Sequence, residues 1–282
     1  MYEYIDQYSL VLMCRVMGVS RFGYYRWRNR PDSRQAKRRQ DLERQVIESF
    51  QAFKARYGAP RLAQELKALG TQCCCNTVAK ILSSRPMKAR NGKAFTYRPH
   101  SLSMTNVADN ELRRKFQVDQ IEQKWTSDIT YIWYQDHWLY LATVMDLCSR
   151  KIVGWTLGNS MTVELVKGAL EMALSRRQAK AGLVLHSDRG VQYRSHEYQD
   201  FAKSYGIKIS MSRKGNCWDN APMGSFYSRL KVELIYSQQY RSKNELKSSI
   251  FEYIEIFYNR QRRHSSLGYV SPVNYEQKLA AA

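Results

Sequence analysis

Apolar residues recur at helical spacing in two stretches near the start of the chain, residues 8–17 and 21–30. Gly18 between them predicts a tight turn, Ser20 predicts a helix N-cap, and Pro31 ends the second stretch. A helix, a short turn and a basic helix form the pattern of a helix-turn-helix, whose second helix enters the major groove of DNA. Two ordinary packed helices would show the same pattern, so both interpretations stay open.

The second stretch carries four arginines, and three of them, Arg21, Arg26 and Arg28, are interleaved with aromatic residues. If the segment binds DNA, these arginines are its candidate contacts. We therefore predict a helix-turn-helix-like segment over residues 1–34.

A second helical region follows, with an amphipathic stretch over residues 41–56, a break at Pro60 and two further helices at 60–69 and 76–83. This order predicts a second helix-turn-helix domain over residues 35–87. The stretch that follows, 88–114, is basic and for the most part without periodicity, which predicts a linker that could lie along a DNA backbone.

From about residue 115 the pattern changes from helical spacing to short runs of β-branched and aromatic residues. The predicted elements are strands at 125–133, 138–145 and 151–157, a helix at 162–177, a strand at 183–186, a helix at 195–205, a strand at 208–211 and a helix at 221–236. Three strands joined by short turns predict an antiparallel meander, and the alternation that follows predicts an α/β fold with a mixed sheet covered on both faces. We assign residues 115–240 to this core and 241–282 to a helical C-terminal tail.

The charge of the chain points to a polyanionic partner. Its 282 residues carry 45 Lys and Arg against 25 Asp and Glu, a net charge of +20. Residues 1–114 hold 22 basic and 9 acidic residues, so the excess is concentrated in the helical part. Each phosphate that a basic residue neutralises releases a counterion, which favours binding to nucleic acid. A basic surface that only confers solubility is the alternative on charge alone.

Other features of the composition narrow the class further. None of the six cysteines forms a CxxC pair with a matching partner, which favours reduced thiols over a zinc site. No stretch approaches the roughly 18 apolar residues of a membrane helix. The first residues are acidic, which argues against a secretory signal. We expect a cytoplasmic, nucleoid-associated protein without a membrane partner.

Two aspartates have the placement of metal ligands. Asp128 lies inside an apolar predicted strand, where a carboxylate is costly unless it is paired or bound to metal. Asp188 lies just past the end of another strand, where α/β sheets place active residues. Hard cations such as Mg²⁺ prefer carboxylate oxygens, and phosphoryl transfer commonly uses two such ions. A strand-edge acid facing water and a turn-forming acid before glycine are the alternatives.

Three runs around these residues carry a resemblance to a known family. They are Trp-Thr-Ser-Asp-Ile-Thr-Tyr at 125–131, His-Ser-Asp-Arg-Gly-Val-Gln-Tyr at 186–193 and Lys-Gly-Asn-Cys-Trp-Asp-Asn-Ala-Pro-Met at 214–223. The chain resembles the second-frame (OrfB) transposases of the insertion-sequence-three family, relatives of retroviral integrases. The similarity extends from the N-terminal helices to the tail at 258–272 and so covers nearly the whole chain.

The resemblance implies a ribonuclease-H-like core with a triad of two aspartates and a glutamate that holds two Mg²⁺ or Mn²⁺ ions. Asp128 and Asp188 match the two aspartates. The family places 35 residues between the second aspartate and the glutamate, which leads to position 224, and this chain has Gly224 there. Glycine costs a helix interior roughly 0.8–1 kcal/mol relative to alanine, so no structural gain explains it. We interpret Gly224 as a disabling change, natural or engineered.

Nearby acids are poor replacements for the expected glutamate. At about 100° per residue, Glu233 faces the opposite side of the helix from position 224, and Asp219 precedes the helix. Lys231 shares the face of position 224, and the resemblance makes it a DNA contact beside the site. An exposed, solvated lysine is the alternative.

Several other polar groups stay open between two interpretations. His186 either orients the site or is a satisfied polar residue at a strand end. Arg213 and Lys214 lie in a basic loop that either grips a DNA end or is plain surface. The basic run from Arg260 to His264 either contacts phosphate or is a solvated helix end.

Together these features favour a bacterial insertion-sequence transposase that cuts double-stranded DNA at element ends and transfers a 3′-hydroxyl to a phosphodiester. An inactive DNA-binding regulator of transposition is the second hypothesis, and a ribonuclease-H-like nuclease of another purpose is the third. The resemblance also implies a circular intermediate, self-association on DNA and a longer form fused to an upstream-frame protein.

Overall fold

A computed structural model describes residues 4–90, 107–114, 116–213 and 217–281. The chain divides into two units, Met1–Lys88 and Ala89–Ala282, which are described separately. Among the described residues no helix is both long and apolar enough to cross a membrane.

The N-terminal unit is helical, as predicted. Its helices are α1 (Leu10–Val16), α2 (Arg21–Arg28), α3 (Arg34–Ala52), α4 (Ala59–Ala68) and α5 (Cys75–Ser83). The hydroxyl of Ser20 accepts the N–H of Gly23 at 2.9 Å, the N-cap that the sequence predicts for α2. The sides of α3, α4 and α5 that face one another bury Val46, Leu62 and Val78.

One helix of this unit is longer than periodicity predicts. α3 begins at Arg34, seven residues before the predicted start, with Ser33 as N-cap. Its first turns are almost entirely polar and exposed, so they carry no apolar periodicity. The helix ends before Lys54 and Ala55, whose φ angles of 51° and 58° lie in the left-handed region.

The C-terminal unit is built on a five-stranded sheet in the order β3-β2-β1-β4-β5. The strands are β1 (Lys124–Tyr134), β2 (His137–Asp146), β3 (Ile152–Gly158), β4 (Val184–Ser187) and β5 (Lys208–Met211). The first three strands pair antiparallel, whereas β4 pairs parallel with both β1 and β5. The predicted meander and mixed sheet are confirmed.

Helices α6 (Val163–Arg176), α7 (Val191–Arg194) and α8 (His196–Ser204) follow the meander. Together with the sheet they enclose an apolar core that includes Trp125, Leu170 and Leu185. Gly154 on β3 allows α6 to approach closely, because a Cβ at that position would lie 2.1 Å from the carbonyl oxygen of Ala169.

The opposite face of the sheet is covered by α9 (Ala221–Glu233) and by the tail. The tail contains α10 (Lys243–Phe251), a π-helical continuation at Glu252–Gln261, and α11 (Pro272–Ala280). The amide of Asn259 bonds both the N–H and the carbonyl of Ile152, at 3.0 and 2.9 Å. These bonds satisfy backbone groups of the outer strand β3, as an additional strand would.

Two elements near Asp188 and position 224 differ from the predictions. α9 ends at Glu233 instead of residue 236, and Ile235–Ser237 forms a separate 3₁₀ turn. The short helix α7 is not predicted, since four residues are too few to show a period. The predicted domain boundaries stay a prediction.

Candidate active site

The sheet brings Asp128 and Asp188 to neighbouring positions. The last paired residues of β1 and β4 are Thr126 and His186, and each aspartate lies two residues further along its strand direction. β4 ends at Ser187, so Asp188 is the first residue beyond the strand, as the sequence predicts. Parallel neighbouring strands lie about 4.8 Å apart. The two carboxylates therefore lie side by side, Asp128 within β1 and Asp188 just past the end of β4.

The Asp128 carboxyl lies in an environment that disfavours its charged form. Burial raises its pKa well above the ordinary value, and the charge of Asp188 raises the pKa further. The N–H of Ile129, 2.9 Å from Asp128 Oδ1, and the ammonium of Lys231 lower the pKa by smaller amounts. A bound cation would offset both the cost of burying this carboxylate and its repulsion by the second carboxylate.

Asp188 is the more open member of the pair. Its side chain is exposed, yet protein surrounds the carboxyl closely enough that burial raises its pKa. The N–H of Gly190, 2.9 Å from Asp188 Oδ1, acts in the opposite direction. Because Asp188 retains solvent contact, we regard its charged form as less disfavoured than that of Asp128.

Two side chains fix α9 against β1 on either side of residue 224. Asn220, at the N-terminus of the helix, accepts from the Thr126 hydroxyl and donates to the Ser127 carbonyl at 3.2 Å. Tyr227 donates its hydroxyl to the carbonyl of Asp128 at 2.6 Å. Position 224 is four residues after the first of these contacts and three before the second. At about 100° per residue, all three positions lie on one side of α9.

Gly224 therefore occupies the helix turn that faces the aspartates. It is exposed, and apart from Met223, Ser225 and the helix's own backbone no described heavy atom lies within 4 Å of an added Cβ. A longer side chain at this position has room. That position 224 completes a site with Asp128 and Asp188 stays a prediction.

Lys231 follows on the same face of the helix, as predicted. Its ammonium interacts favourably with Asp128, while burial lowers its pKa. The lysine is half-buried, unlike the fully solvated lysine of the alternative interpretation. Its role as a DNA contact stays a prediction.

The residues present fit a divalent cation incompletely. Asp128 and Asp188 offer the carboxylate oxygens that Mg²⁺ or Mn²⁺ prefers. Over the ranges that the structure describes, no group of three His, Cys, Asp or Glu side chains is arranged to hold a metal ion. The pair suits a single weakly held ion and falls one carboxylate short of the two-ion site that the family resemblance implies.

Glu233 and Asp219 are both committed to other partners. Glu233 is 1% exposed and accepts from Arg262 Nη2 at 2.8 Å and from the Tyr253 hydroxyl at 2.8 Å. Asp219 is fully buried and accepts from Arg114 Nε at 2.8 Å and from the guanidinium of Arg213 at 2.9 and 3.0 Å. Neither carboxylate is available to take the place of a side chain at position 224.

The Glu233 contact also corrects the interpretation of the basic run. Arg262 is neither a solvated helix end nor a phosphate contact, because it is 3% exposed and forms a buried ion pair with Glu233. The spacing of charges along the sequence does not reveal a partner 29 residues away. Arg260, in contrast, is exposed.

Asp219 joins Arg213, Arg114 and Asn110 just before the start of α9. Hydrogen bonds from Arg213, and then from Arg114, hold the pKa of Asp219 below its ordinary value. Asn110 adds a third donor at 2.9 Å. The guanidinium of Arg213 is thus bonded within the protein while its side chain remains about half exposed. Its predicted DNA contact stays a prediction, and Lys214 lies outside the described residues.

His186 is a structural residue of the sheet. Its Nδ1 and Nε2 lie 2.9 and 3.1 Å from the hydroxyls of Ser210 and Ser212, and burial lowers its pKa to about 4. A neutral imidazole with both nitrogens hydrogen-bonded fits the interpretation of His186 as a structural residue at a strand end, and not the interpretation in which it orients the site.

The remaining predicted contacts lie in the N-terminal unit. Arg21, Arg26 and Arg28 are all exposed on α2, which buries only Tyr24. An exposed basic helix is compatible with DNA binding, and their role stays a prediction.

Sequence reasoning missed the side chains that position the site. Tyr193 pairs its hydroxyl with that of Ser127 at 3.0 Å, beside Asp128, and Tyr227 and Asn220 fix α9. Tyr227 carries a usable signal, since it lies three residues from Gly224 and one helix turn brings both to the same side. For Tyr193 no local pattern indicates that its partner lies 66 residues away.

Comparison with known proteins agrees with this architecture. The integrase core domain family matches residues 119–217, and a second integrase core domain family matches residues 205–272. The transposase InsF of insertion sequence IS3A from Escherichia coli K12 is 42% identical over 98% of this chain and 96% of its own length. An uncharacterized 31 kDa protein of insertion element IS600 from Shigella sonnei is 40% identical over 94% of this chain and 98% of its own length.

Solved structures with a related outline are far more distant in sequence. The HTLV-2 integrase catalytic core in complex with magnesium is 18% identical, with a TM-score of 0.41, over 55% of this chain and 95% of its own. The simian T-cell lymphotropic virus intasome in complex with a PP2A regulatory subunit contains a chain that is 16% identical, with a TM-score of 0.45, over 82% of this chain and 73% of its own. The identity to the InsF relatives extends over nearly the full length of both chains, and on that ground this protein belongs to the IS3 family of insertion-sequence transposases, with an integrase-type, ribonuclease-H-like catalytic core.

Proposed function

We propose that this chain binds the DNA ends of its insertion sequence, and that it supports metal-dependent cleavage and strand transfer weakly or not at all. The observation that carries the proposal is the position of Gly224. Residue 224 lies between two contacts that hold α9 against the strand of Asp128, and it presents no carboxylate there. A site that lacks one of three ligands holds its metal ions poorly.

Asp128 and Asp188 would hold the ion, for which we propose Mg²⁺ or Mn²⁺. When bound, two such ions activate the attacking oxygen and stabilise the leaving oxygen of a phosphodiester. The protein's own contribution is positional: the sheet aligns the two carboxylates, and Tyr227 holds α9 against them. Lys231 places a positive charge beside Asp128, where the phosphate of a DNA strand would be attracted.

Binding to DNA does not depend on the missing carboxylate. The net charge of +20 and the exposed arginines of α2 support a phosphate-binding surface. We further propose self-association on paired DNA ends and cooperation with an upstream-frame protein or its fusion. We also propose that the protein is located on the bacterial nucleoid in the cytoplasm.

The test compares the unsubstituted chain, which carries Gly224 and is called the natural chain only to distinguish it from its variants, with Gly224→Glu and with Gly224→Gln. Gln is the uncharged isostere of Glu and serves as the control; all three proteins are assayed on duplexes that carry the element ends, in Mg²⁺ and in Mn²⁺. We expect single-strand nicks and joined products from the Glu variant, and little or no product from the other two proteins. Equal binding by all three would assign the difference to chemistry. A Glu variant that binds the ends and leaves them intact would contradict the proposal.

A second candidate function is that of a DNA-binding regulator that occupies element ends without cutting them. The open space at Gly224 favours it, because a chain with two carboxylates can retain its fold and its basic surface. Strand transfer by the natural chain in Mg²⁺ would eliminate this alternative.

A further inference from the structure

A cluster of exposed aromatic rings lies on the β1–β2 hairpin, close to the carboxylate pair. Tyr131, Trp133 and Trp138 are 45%, 52% and 48% exposed, and Tyr140 completes the cluster. The strand register pairs Tyr131 with Tyr140 and Trp133 with Trp138, so all four side chains leave the same face of the hairpin. We call these four residues the hairpin aromatic face.

The rings support one another and leave surface free. Trp133 and Trp138 lie 4.8 Å apart at 69°, and Tyr131 lies 5.4 Å from Tyr140 at 66°. Edge-to-face packing of this kind holds each ring in place while part of its π surface stays open. Scattered single aromatics are common on protein surfaces, whereas a contiguous exposed group marks a binding surface.

The hairpin extends beyond the rest of the sheet. Within residues 116–213, all described, β4 pairs with β1 at Lys124–Thr126 and goes no further, and the β2–β3 pairing ends at Tyr140 and Gly158. The segment with Trp133 and Trp138 is therefore a two-stranded arm without a further strand beside it in this range, and its opposite face, with Ile132, Tyr134 and Leu139, is buried. Its rings are accessible to a ligand that approaches the carboxylates.

The hairpin aromatic face begins next to the proposed catalytic site. Tyr131 lies three residues beyond Asp128, about 10 Å along the strand, so its side chain leaves the face of β1 opposite to the Asp128 carboxylate. A ligand would pass between the two faces along the side of β1 that has no β4 partner beyond Thr126. Burial, and to a smaller extent the charges of Tyr140, Asp188 and Asp128, raise the pKa of Tyr131. Its hydroxyl contacts Met161 Sδ at 3.5 Å, and the carbonyl of Met161 accepts from Gln192 Nε2 at 2.7 Å. Gln192 belongs to α7, which begins three residues after Asp188. This chain of contacts ties the face to both carboxylate-bearing segments.

From these observations we propose that the hairpin aromatic face stacks unpaired bases of the DNA strand whose phosphate lies at Asp128 and Asp188. The proposal rests on the proposed function, which places a phosphodiester at the carboxylates. Trp133 lies five residues beyond Asp128, about 17 Å along the strand, which corresponds to roughly five stacked nucleotides at 3.4 Å each, so bases about five positions from the cut would reach the tryptophans. Aromatic rings bind any base through its π face, without a hydrogen-bond code.

Charge favours bases over phosphates at the end of the arm. The tip carries Asp136, whose side chain is 92% exposed and which is bonded to His137 at 3.0 Å. A carboxylate at this place repels the DNA backbone. Nearer the site, Lys243 donates to Asn159, in the loop that contains Met161, and offers a cation for the backbone. The distribution of charge thus matches a strand with its phosphates near the loop and its bases over the rings.

The experiment measures binding in EDTA, so that no cleavage is required. The probes are three duplexes of equal length: one blunt, one with a single-stranded tail that contains 2-aminopurine, and one with a tail of abasic sites. The last two carry the same phosphates, so their difference reports stacking alone. We expect the natural chain to prefer the base-containing tail to the abasic tail by about 5- to 100-fold and to quench 2-aminopurine, since stacking contributes about 1–3 kcal/mol per base.

Trp133→Ala and Trp138→Ala should each remove most of this preference and of the quenching, with blunt-duplex affinity unchanged. Trp133→Phe should retain both effects in part. Tyr205→Ala, at an equally exposed aromatic residue that follows α8 as its C-cap, is the matched control and should behave like the natural chain. Thermal unfolding checks that each variant is folded.

Equal binding of the base-containing and abasic tails by the natural chain would overturn the proposal. So would loss of blunt-duplex affinity in the tryptophan variants, which would indicate a general phosphate-binding surface. A change of sedimentation coefficient with unaltered quenching would assign the face to a second copy of the chain instead. Because the assay needs no metal, it can succeed or fail independently of the Gly224→Glu cleavage experiment.

Discussion

The carboxylate pair predicts that removing one catalytic charge stabilises the protein. Asp128→Asn preserves the shape of the side chain and the oxygen that accepts the N–H of Ile129. It eliminates the repulsion between Asp128 and Asp188 and the cost of burying a carboxylate. In metal-free buffer at pH 7.5 we therefore expect the variant to unfold at a higher temperature than the natural chain.

The size of the effect follows from the strand spacing. Two unit charges about 5 Å apart repel by about 3 kcal/mol at an effective dielectric constant of about 20. Lys231 attracts Asp128, and its loss offsets part of this gain. We expect a net stabilisation of about 1–2 kcal/mol, which for a unit of this size corresponds to roughly 2–8 °C in Tm.

Tryptophan fluorescence is a suitable probe, because five of the six tryptophans lie in the unit Ala89–Ala282. Asp136→Asn, at the exposed hairpin tip, is the control and should change stability by less than about 0.5 kcal/mol. Mn²⁺ should raise the Tm of the natural chain more than that of Asp128→Asn. An Asp128→Asn variant that is less stable than the natural chain in EDTA would refute the idea that the two carboxylates repel each other.

Three other substitutions test the surroundings of the site. Because the pKa of Asp219 is lowered in the folded protein, its contribution to stability is complete above the ordinary value of about 3.8 and is lost as the pH falls through the lower folded value. Asp219→Asn should therefore reduce stability at pH 7. The variant should also show a smaller loss of stability between about pH 4 and 2, as measured by circular dichroism. Glu233→Gln should lower the free energy of unfolding, measured in urea, by about 3–5 kcal/mol, because Arg262 is left buried without its counter-charge. Adding Arg262→Met to this variant should recover much of the lost stability. Lys231→Ala should weaken duplex binding and reduce the magnitude of the slope of log K against log salt concentration by about 0.9. Lys247→Ala, at an exposed lysine, is the control and should have a smaller effect. Equal slopes for both variants would show that Lys231 does not contact a DNA phosphate.

The strands of the core could be predicted to within about two residues, because each is a short β-branched or aromatic run bounded by turn residues. The start of α3 could not, since its first turns are polar and exposed and leave no periodic trace. Apolar residues recur periodically only where one face of an element is buried, so an element without a buried face cannot be recognised by this pattern. Helix ends near Leu234 likewise depend on tertiary contacts.

The site divides in the same way. Asp128 and Asp188 stand out in the sequence, because a carboxylate inside an apolar run or just past a buried strand is costly without a partner. The partners of Arg262, Tyr193 and Tyr227 are 29, 66 and 99 residues away, and no local pattern encodes contacts that the fold creates. Position 224 can be interpreted only through the resemblance to a family, and its position between two contacts to β1 is visible only in the fold.

The most direct test of the convergence of residues 128, 188 and 224 is a Mn²⁺ titration followed by electron paramagnetic resonance, without DNA. It compares the natural chain, Gly224→Glu, and the double variant Gly224→Glu/Asp128→Asn. We expect Gly224→Glu to bind Mn²⁺ at least tenfold more tightly than the natural chain, and the double variant to lose that gain. Equal affinity in the natural chain and Gly224→Glu, with both proteins folded, would show that a carboxylate at position 224 does not reach the two aspartates.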